Sequence, residues 1–350
     1  MIALDFFCGA GGLTRGLLNS GIKVVAGIDI ENKCKESYEF NNKGSKFINL
    51  DIRDIDKKEL EKIGITRKTE NLLFAGCAPC QPFSKHQKKQ SRMPDATLLS
   101  EFGRVISLIE PNFILVENVP GLSKVKGYNT FKRFVNSLEK LGYKYDYDIL
   151  DAKYFGVPQN RRRLVLLASK EGEIRLPNPL FGTKSKPFRT VRNAIERFPE
   201  ISAGSSDKDV PNHMSASLSK INLERISLTP KNGGRRFDWP KHLELDCHKN
   251  GFKGHTDVYG RMNWDQPAPT LTGRCISLSN GRYGHPEQNR AISLREAASL
   301  QSFPDEYQFF GSQISIAQQI GNAVPVKLAE ALGKTILKHQ QQVTSINLKK

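Results

Sequence analysis

The segment Asp5-Phe-Phe-Cys-Gly-Ala-Gly-Gly-Leu-Thr-Arg-Gly-Leu17 reads as a strand that runs into a glycine-rich turn and then a helix. Gly9, Gly11 and Gly12 let backbone approach a ligand closely at the carboxyl end of that strand. About twenty residues on, Asp29 closes the next apolar run, where an acid can bind ribose hydroxyls. Thr14 stands where a dinucleotide fingerprint needs its third glycine. The turn therefore favours a nucleoside-type cofactor, and which one stays open at this point; a purely structural glycine turn gives the same letters.

Outward from this turn, short apolar runs alternate with amphipathic stretches. Strands are expected at Ile2–Phe7, Lys23–Ile30, Lys46–Leu50, Asn71–Gly76, Phe113–Glu117, Lys144–Leu150 and Arg163–Ser169, with helices at Leu13–Ser20, Lys33–Phe40, Ala96–Glu110 and Asn129–Leu141. Gly21 and Gly142 sit where a helix C-cap belongs. Runs such as FILVEN and RLVLLAS suit strands covered on both faces. The fold class is α/β: a doubly wound, mostly parallel, Rossmann-like sheet with a smaller irregular domain. That domain is expected at 171–266, rich in Pro, Gly, Ser and basic residues. Residues 1–170 form the main domain, 267–303 link back to it, 304–340 complete it, and 341–350 are a polar tail. Ser293 and Glu296 form a capping box, and Pro325 opens a helix with Leu328, Ala329, Leu332 and Ile336 on one face.

Three further segments carry reactive groups. Gly76–Ser84, GCAPCQPFS, holds Cys77 and Cys80 directly after a strand. Zinc would need two more ligands. Cys247, His248 and His255 come from a distant segment without finger spacing, so no metal is expected. A redox pair fits poorly beside Pro82, which leaves Cys80 as a nucleophile on a stiff loop, or a small buried apolar residue. Glu117 ends an apolar strand, where an unpaired carboxylate is costly; an ion pair with Arg and a role on a substrate ring are both open. In QNRRRL, Gln159–Leu164, Arg161 and Arg163 alternate and are expected on one side of a strand, or else belong to a solvated basic run.

The 350 residues carry a formal net charge of +17, which favours a polyanionic partner. Six cysteines do not make a disulfide framework. No signal peptide and no membrane-length apolar run is visible, so a cytoplasmic protein without a membrane partner is expected.

In order, DFFCGAGG, Asp29, Asp51, PCQPFS, ENV, QNRRR, PTLTGRC, the Arg290–Pro304 segment and QIGNAVP resemble the DNA cytosine-5 methyltransferase family, and the chain begins close to the first motif, as in its bacterial restriction–modification branch. The resemblance covers all but the variable middle. It implies S-adenosylmethionine as cofactor, held by Phe6, Gly9, Gly11, Gly12, Asp29, Ile30, Asp51, Ile52, Asn322 and Ala323. It implies attack by Cys80 on carbon 6 of a flipped-out cytosine, with Glu117 on ring nitrogen 3 and the exocyclic amine, and Arg163 with Arg161 on the carbonyl oxygen. Gln81, Ser84 and the basic stretch Lys85 to Arg92 would close over double-stranded DNA, and 171–266 would read its sequence. Gly233, Gly234, Arg235 and Arg236 are candidates for groove contact, with phosphate binding as the alternative, and His255 and Arg261 come after them. A monomer is implied, with a restriction endonuclease acting separately on the same sequence. Ala78 before Pro79, and Ile30 where some relatives have an aromatic, are mild departures. A tRNA cytosine-5 methyltransferase, a silent DNA-binding module and an NAD-dependent oxidoreductase remain the rivals. The long basic middle, the joint presence of Cys80, Glu117 and Arg163, and the missing third glycine count against them in turn.

Overall fold

The computed structural model describes residues 1–79, 98–123, 130–248, 254 and 256–347. The chain forms two compact units: Met1–Asp151 with Arg162–Pro179 and Val324–Lys350, and Ala152–Arg161 with Leu180–Ala323. The division falls at other residues than composition suggested. The second unit takes a first segment from Ala152 that ends inside the QNRRR region at Arg161, resumes at Leu180, and gives the chain back to the first at Val324.

The first unit is built on seven strands: β1 (Ile2–Phe6), β2 (Lys23–Asp29), β3 (Lys46–Asn49), β4 (Leu72–Gly76), β5 (Phe113–Asn118), β6 (Lys144–Asp151) and β7 (Arg162–Ser169). Their order is β3-β2-β1-β4-β5-β7-β6. Neighbours from β3 to β5 pair in parallel, while β7 runs antiparallel to both β5 and β6. The order reverses at β1, which lies between β2 and β4. In open α/β sheets the crevice beyond such a reversal is where ligands bind. β4 and β5 are buried along their whole length, as their apolar runs require, and β6 at the edge alternates between exposed and half-buried.

Five helices flank these strands among the described residues: α1 (Gly12–Ser20), α2 (Lys35–Asn41), α3 (Lys57–Lys62), α4 (Leu98–Ile109) and α5 (Thr130–Lys140). Gly21 ends α1 at φ 98° with its N–H turned back to the carbonyls of Leu17 and Leu18, and Gly142 follows α5 at φ 84°. Both are left-handed positions that favour glycine. Phe6 lies in the core with its ring 5.0 Å from Phe74 and 5.2 Å from Phe102. Each ring so buried contributes roughly 1.5–3 kcal/mol.

The second unit has little regular structure. It holds α6 (Val191–Ile195), α7 (Lys220–Leu228), α8 (Leu294–Leu300) and α9 (Gln313–Asn322), joined by isolated bridges such as Arg261 with Gly284. The chain then re-enters the first unit as α10 (Val326–Asn347), whose Leu328, Ala329, Leu332 and Ile336 are all buried. This helix runs on through most of the expected tail. The capping box at α8 is formed: Glu296 N–H reaches Ser293 Oγ at 3.0 Å and Ser293 N–H reaches Glu296 Oε2 at 2.7 Å.

Buried arginines take the place of sheet ladders here. Irregular backbone leaves carbonyls without strand partners, and a guanidinium offers five donors in a fixed fork. Arg261, 1% exposed, donates to the carbonyls of Ile226, Thr229, His285 and Gln288 and to Asn289 Oδ1. Burial pushes it down to about 10. Arg295 serves the carbonyls of Pro211, Pro304 and Tyr307, and Arg290 grips Glu296 with two bonds of 2.7 Å. Part of the large positive charge is thus internal scaffold.

Candidate active site

At the carboxyl end of β1 the backbone turns through Phe7 at φ 60°, Gly9 at φ 50° and Gly11 at φ 88°, and Gly12 opens α1. The Asp29 carboxylate holds this turn from β2: Oδ2 accepts from Gly9 N–H and Oδ1 from Glu31 N–H, both at 2.8 Å. Burial raises its carboxyl above the usual range. Below the turn, Thr14 Oγ1 donates to Asp5 Oδ2 at 2.7 Å and also meets the Tyr38 hydroxyl at 3.0 Å. Burial lifts Asp5 to about 7.

Phe6 was expected at the cofactor, but it is 1% exposed and faces Phe74 and Phe102. Strand alternation sends it into the core, and the next residue, Phe7, is the half-buried ring at the turn. Ile30, just past Asp29, is 58% exposed. A large aliphatic left in water beside a half-buried acid and a glycine turn is what the flat face of an adenosine would cover, so these residues fit S-adenosylmethionine. Asp51 is paired with Arg53, which holds its carboxyl below the usual range, and Ile52 behind it is buried. Arg104 of α4, which no motif marked, donates to the carbonyls of Ile52, Arg53 and Ile55 and so fixes the loop that bears Asp51.

Glu117, 2% exposed, stands near the end of β5. Arg163 of β7 puts Nε 3.0 Å from its Oε1, yet off the axis of a hydrogen bond, and Oε1 has no hydrogen-bond partner among the described residues. Oε2 accepts from the Cys77 thiol at 2.8 Å. Asn118 Nδ2 donates to the Ala78 carbonyl at 2.8 Å, which ties the backbone two residues before Cys80 to the end of β5. Cys80, Gln81, Ser84, Lys85, Arg92 and His255 lie outside the described residues.

Arg161 and Arg163 were expected on one side of a strand, and they part company. The strand begins at Arg162, and Arg161 belongs to the second unit, where it is buried and donates to the carbonyls of Leu271, Gly321 and Ala323. It therefore joins the PTLTG motif to Gly321 and Ala323 within that unit. Gly321 fits the same junction, since a Cβ there would lie 2.1 Å from the Thr272 carbonyl. Asn322 is exposed at the end of α9 and Ala323 is half-buried beside it.

Of the groove candidates, Gly233 adopts φ 105°, and Gly234 has no room for a Cβ, which would sit 2.0 Å from the Pro230 carbonyl. They present Arg235 to solvent. Arg236 is 8% exposed, stacked at 4.7 Å on Phe237 and turned toward the Gly254 carbonyl. Arg261 is buried as described. Neither is available to a groove as it stands.

A seven-strand sheet of this order, with a glycine turn after β1 and an acid after β2, defines a Rossmann-like methyltransferase. The model of the C-5 cytosine-specific DNA methylases matches residues 1–338, and the chain belongs to this family. It transfers a methyl group from S-adenosylmethionine to carbon 5 of cytosine in DNA. Among curated relatives, the type II methylase M.HgiDII of Herpetosiphon aurantiacus is 42% identical over 95% of this chain and 94% of its own length. The type II methyltransferase M1.HphI of Haemophilus parahaemolyticus is 34% identical over 96% and 86%. Among solved structures, a DNA modification methyltransferase of an Escherichia coli prophage superposes with a TM-score of 0.76 at 22% identity, covering 97% of this chain and 99% of that one. DNMT2 of Spodoptera frugiperda gives 0.65 at 17% identity over 96% and 99%, a likeness of fold alone. No helix among the described residues is long and apolar enough to cross a membrane.

Proposed function

We propose that Cys80 is the nucleophile and that Glu117 and Arg163 receive the flipped-out cytosine. The observation that carries this reading is the buried Glu117, paired with Arg163 at an oxygen that no hydrogen bond occupies among the described residues, beside an Asn118 that anchors Ala78, two residues before Cys80. Carbon 5 of cytosine is a weak nucleophile. Addition of the Cys80 thiolate to carbon 6 makes it enamine-like, while Glu117 offsets charge at nitrogen 3 by a strong hydrogen bond or a proton. The cofactor supplies an electrophilic methyl. Loss of the carbon 5 proton and of the carbon 6–sulfur bond then restores the ring and the free thiol. A stacked base is out of reach, so it must be extruded, at a few kcal/mol.

Phe7, Gly9, Gly11, Gly12, Asp29, Ile30, Asp51 and Ile52 are the proposed cofactor residues of the first unit, and Asn322 with Ala323 those of the second, Ala323 being held by Arg161. Residues 171–266 are the proposed target-recognition segment, with Arg235 as its exposed cation, and Gln81, Ser84, Lys85 and Arg92 are proposed DNA contacts. The type II names of the relatives support a role in restriction–modification, and the proposal extends to a cytoplasmic monomer that guards host DNA from a separate endonuclease. Bisulfite sequencing of plasmid DNA from cells that express the chain tests this reading. One short sequence should be protected, Cys80→Ser should abolish the protection, and full protection by that variant would reject the nucleophile.

A further inference from the structure

The proposed roles use Cys80 and leave Cys77 without one. We infer that Cys77 is a positioning residue: by donating its thiol proton to Glu117 Oε2 it determines that Oε1 is the oxygen that presents a proton to ring nitrogen 3 of the cytosine. This rests on the reading that Glu117 contacts the base.

Both partners are fixed by backbone. Cys77 follows β4, and its N–H is bonded to the Phe6 carbonyl at 3.3 Å, so it extends the pairing of β4 with β1. Glu117 is locked into β5 between β4 and β7, opposite Val165. The thiol therefore reaches Oε2 from a rigid strand end, at 2.8 Å, and the acceptor is 2% exposed. A carboxylic acid has one proton for two oxygens. An oxygen that already accepts from a thiol is a poor seat for that proton, because two donors would face one another. The proton of an acidic Glu117 is thus directed to Oε1, the oxygen left without a hydrogen bond among the described residues, beside the off-axis Arg163. A thiol suits this task, since it is a small, weak donor that orients the carboxyl group without competing strongly for it.

A plain filling role for Cys77 predicts otherwise, and the full-length chain separates the two. Single-turnover methylation and steady-state constants are measured for Cys77→Ala, Cys77→Ser and Glu117→Gln, and for Cys77→Ala combined with Glu117→Gln. Loss of one neutral hydrogen bond, about 0.5–1.5 kcal/mol, corresponds to about a 2- to 10-fold fall in rate. Cys77→Ala is expected to lose that much in kcat, with KM for DNA and for the methyl donor within about twofold and Tm unchanged. Cys77→Ser, which keeps a donor, is expected to recover most of the rate. In the Glu117→Gln background the alanine change should cost nothing further. Parental kcat in Cys77→Ala, a serine variant no better than alanine, or an equal loss in both backgrounds would each overturn the inference. Full activity of Glu117→Gln alone would instead reject the role given to Glu117.

Discussion

Replacement of Gly16 by alanine tests how firmly the cofactor turn depends on helix packing behind it. Gly16 lies in the middle of α1, against α10. A Cβ added there would stand 2.3 Å from Ala329 Cβ, 2.6 Å from the Val326 carbonyl oxygen and 2.8 Å from the Glu330 nitrogen. Two of these are backbone atoms, so no side chain can swing aside. Restoring a carbon–carbon contact of roughly 3.5–4.0 Å requires the helices to part by about 1.2–1.7 Å. Overpacking of this kind costs about 1–3 kcal/mol, and the better helix propensity of alanine offsets about 1 of it. A net loss of up to about 2 kcal/mol lowers Tm by up to about 8 °C. The larger effect is functional. α1 begins at Gly12, so its displacement is passed to Gly9 and Gly11, and an ångström of misplacement in such a site can cost about a hundredfold. Calorimetric titration with S-adenosylmethionine should show affinity reduced by about tenfold or more. Gly103→Ala is the control, since its nearest contacts would be side-chain atoms, the Phe134 ring at 3.3 Å and Ser137 Oγ at 3.8 Å. Parental Tm and cofactor affinity in Gly16→Ala would refute the coupling of turn and helix.

Asp5 predicts a pH dependence. Its folded carboxyl sits at about 7 against an ordinary 3.8, so the stability linked to its proton is full below about pH 4 and is lost as pH rises to about 7. Asp5→Asn, which cannot titrate, should gain on the parent over that window by at most about 4 kcal/mol in chemical denaturation, and parallel pH profiles would contradict this. Arg261→Lys keeps the charge but offers three donors in place of five, so the Thr229 and His285 carbonyls cannot both keep the guanidinium donor that each now has. A loss of about 2–4 kcal/mol is expected, with faster amide exchange at 226–234 and 285–290 and an unchanged methylated sequence. Unaltered exchange with a weaker salt dependence of DNA binding would return Arg261 to the groove.

How much of this could be read from the chain follows from the range of each interaction. The capping box at Ser293 and Glu296, the glycine C-caps at Gly21 and Gly142, and the apolar runs of β4 and β5 depend on neighbours a few residues away. They stand where the letters put them. Asp29 and Glu117 were legible for a related reason, since a charged group that ends a buried strand needs a partner or a purpose. Tertiary structure alone decided the rest. Phe6 and Phe7 are the same letter, and the end of β1 with its turn at φ 60° buries Phe6 in the core and leaves Phe7 half-buried at the core's edge. Arg161, Arg236 and Arg261 look like a basic surface, yet their guanidinium groups find carbonyls far along the chain, 110 residues away for Arg161 and Leu271. Cys77 and Glu117 lie 40 residues apart and meet because β4 and β5 pair in parallel. Local preference is written in adjacent side chains. The choice of a distant partner is made by the whole core at once, and no short window of sequence contains it.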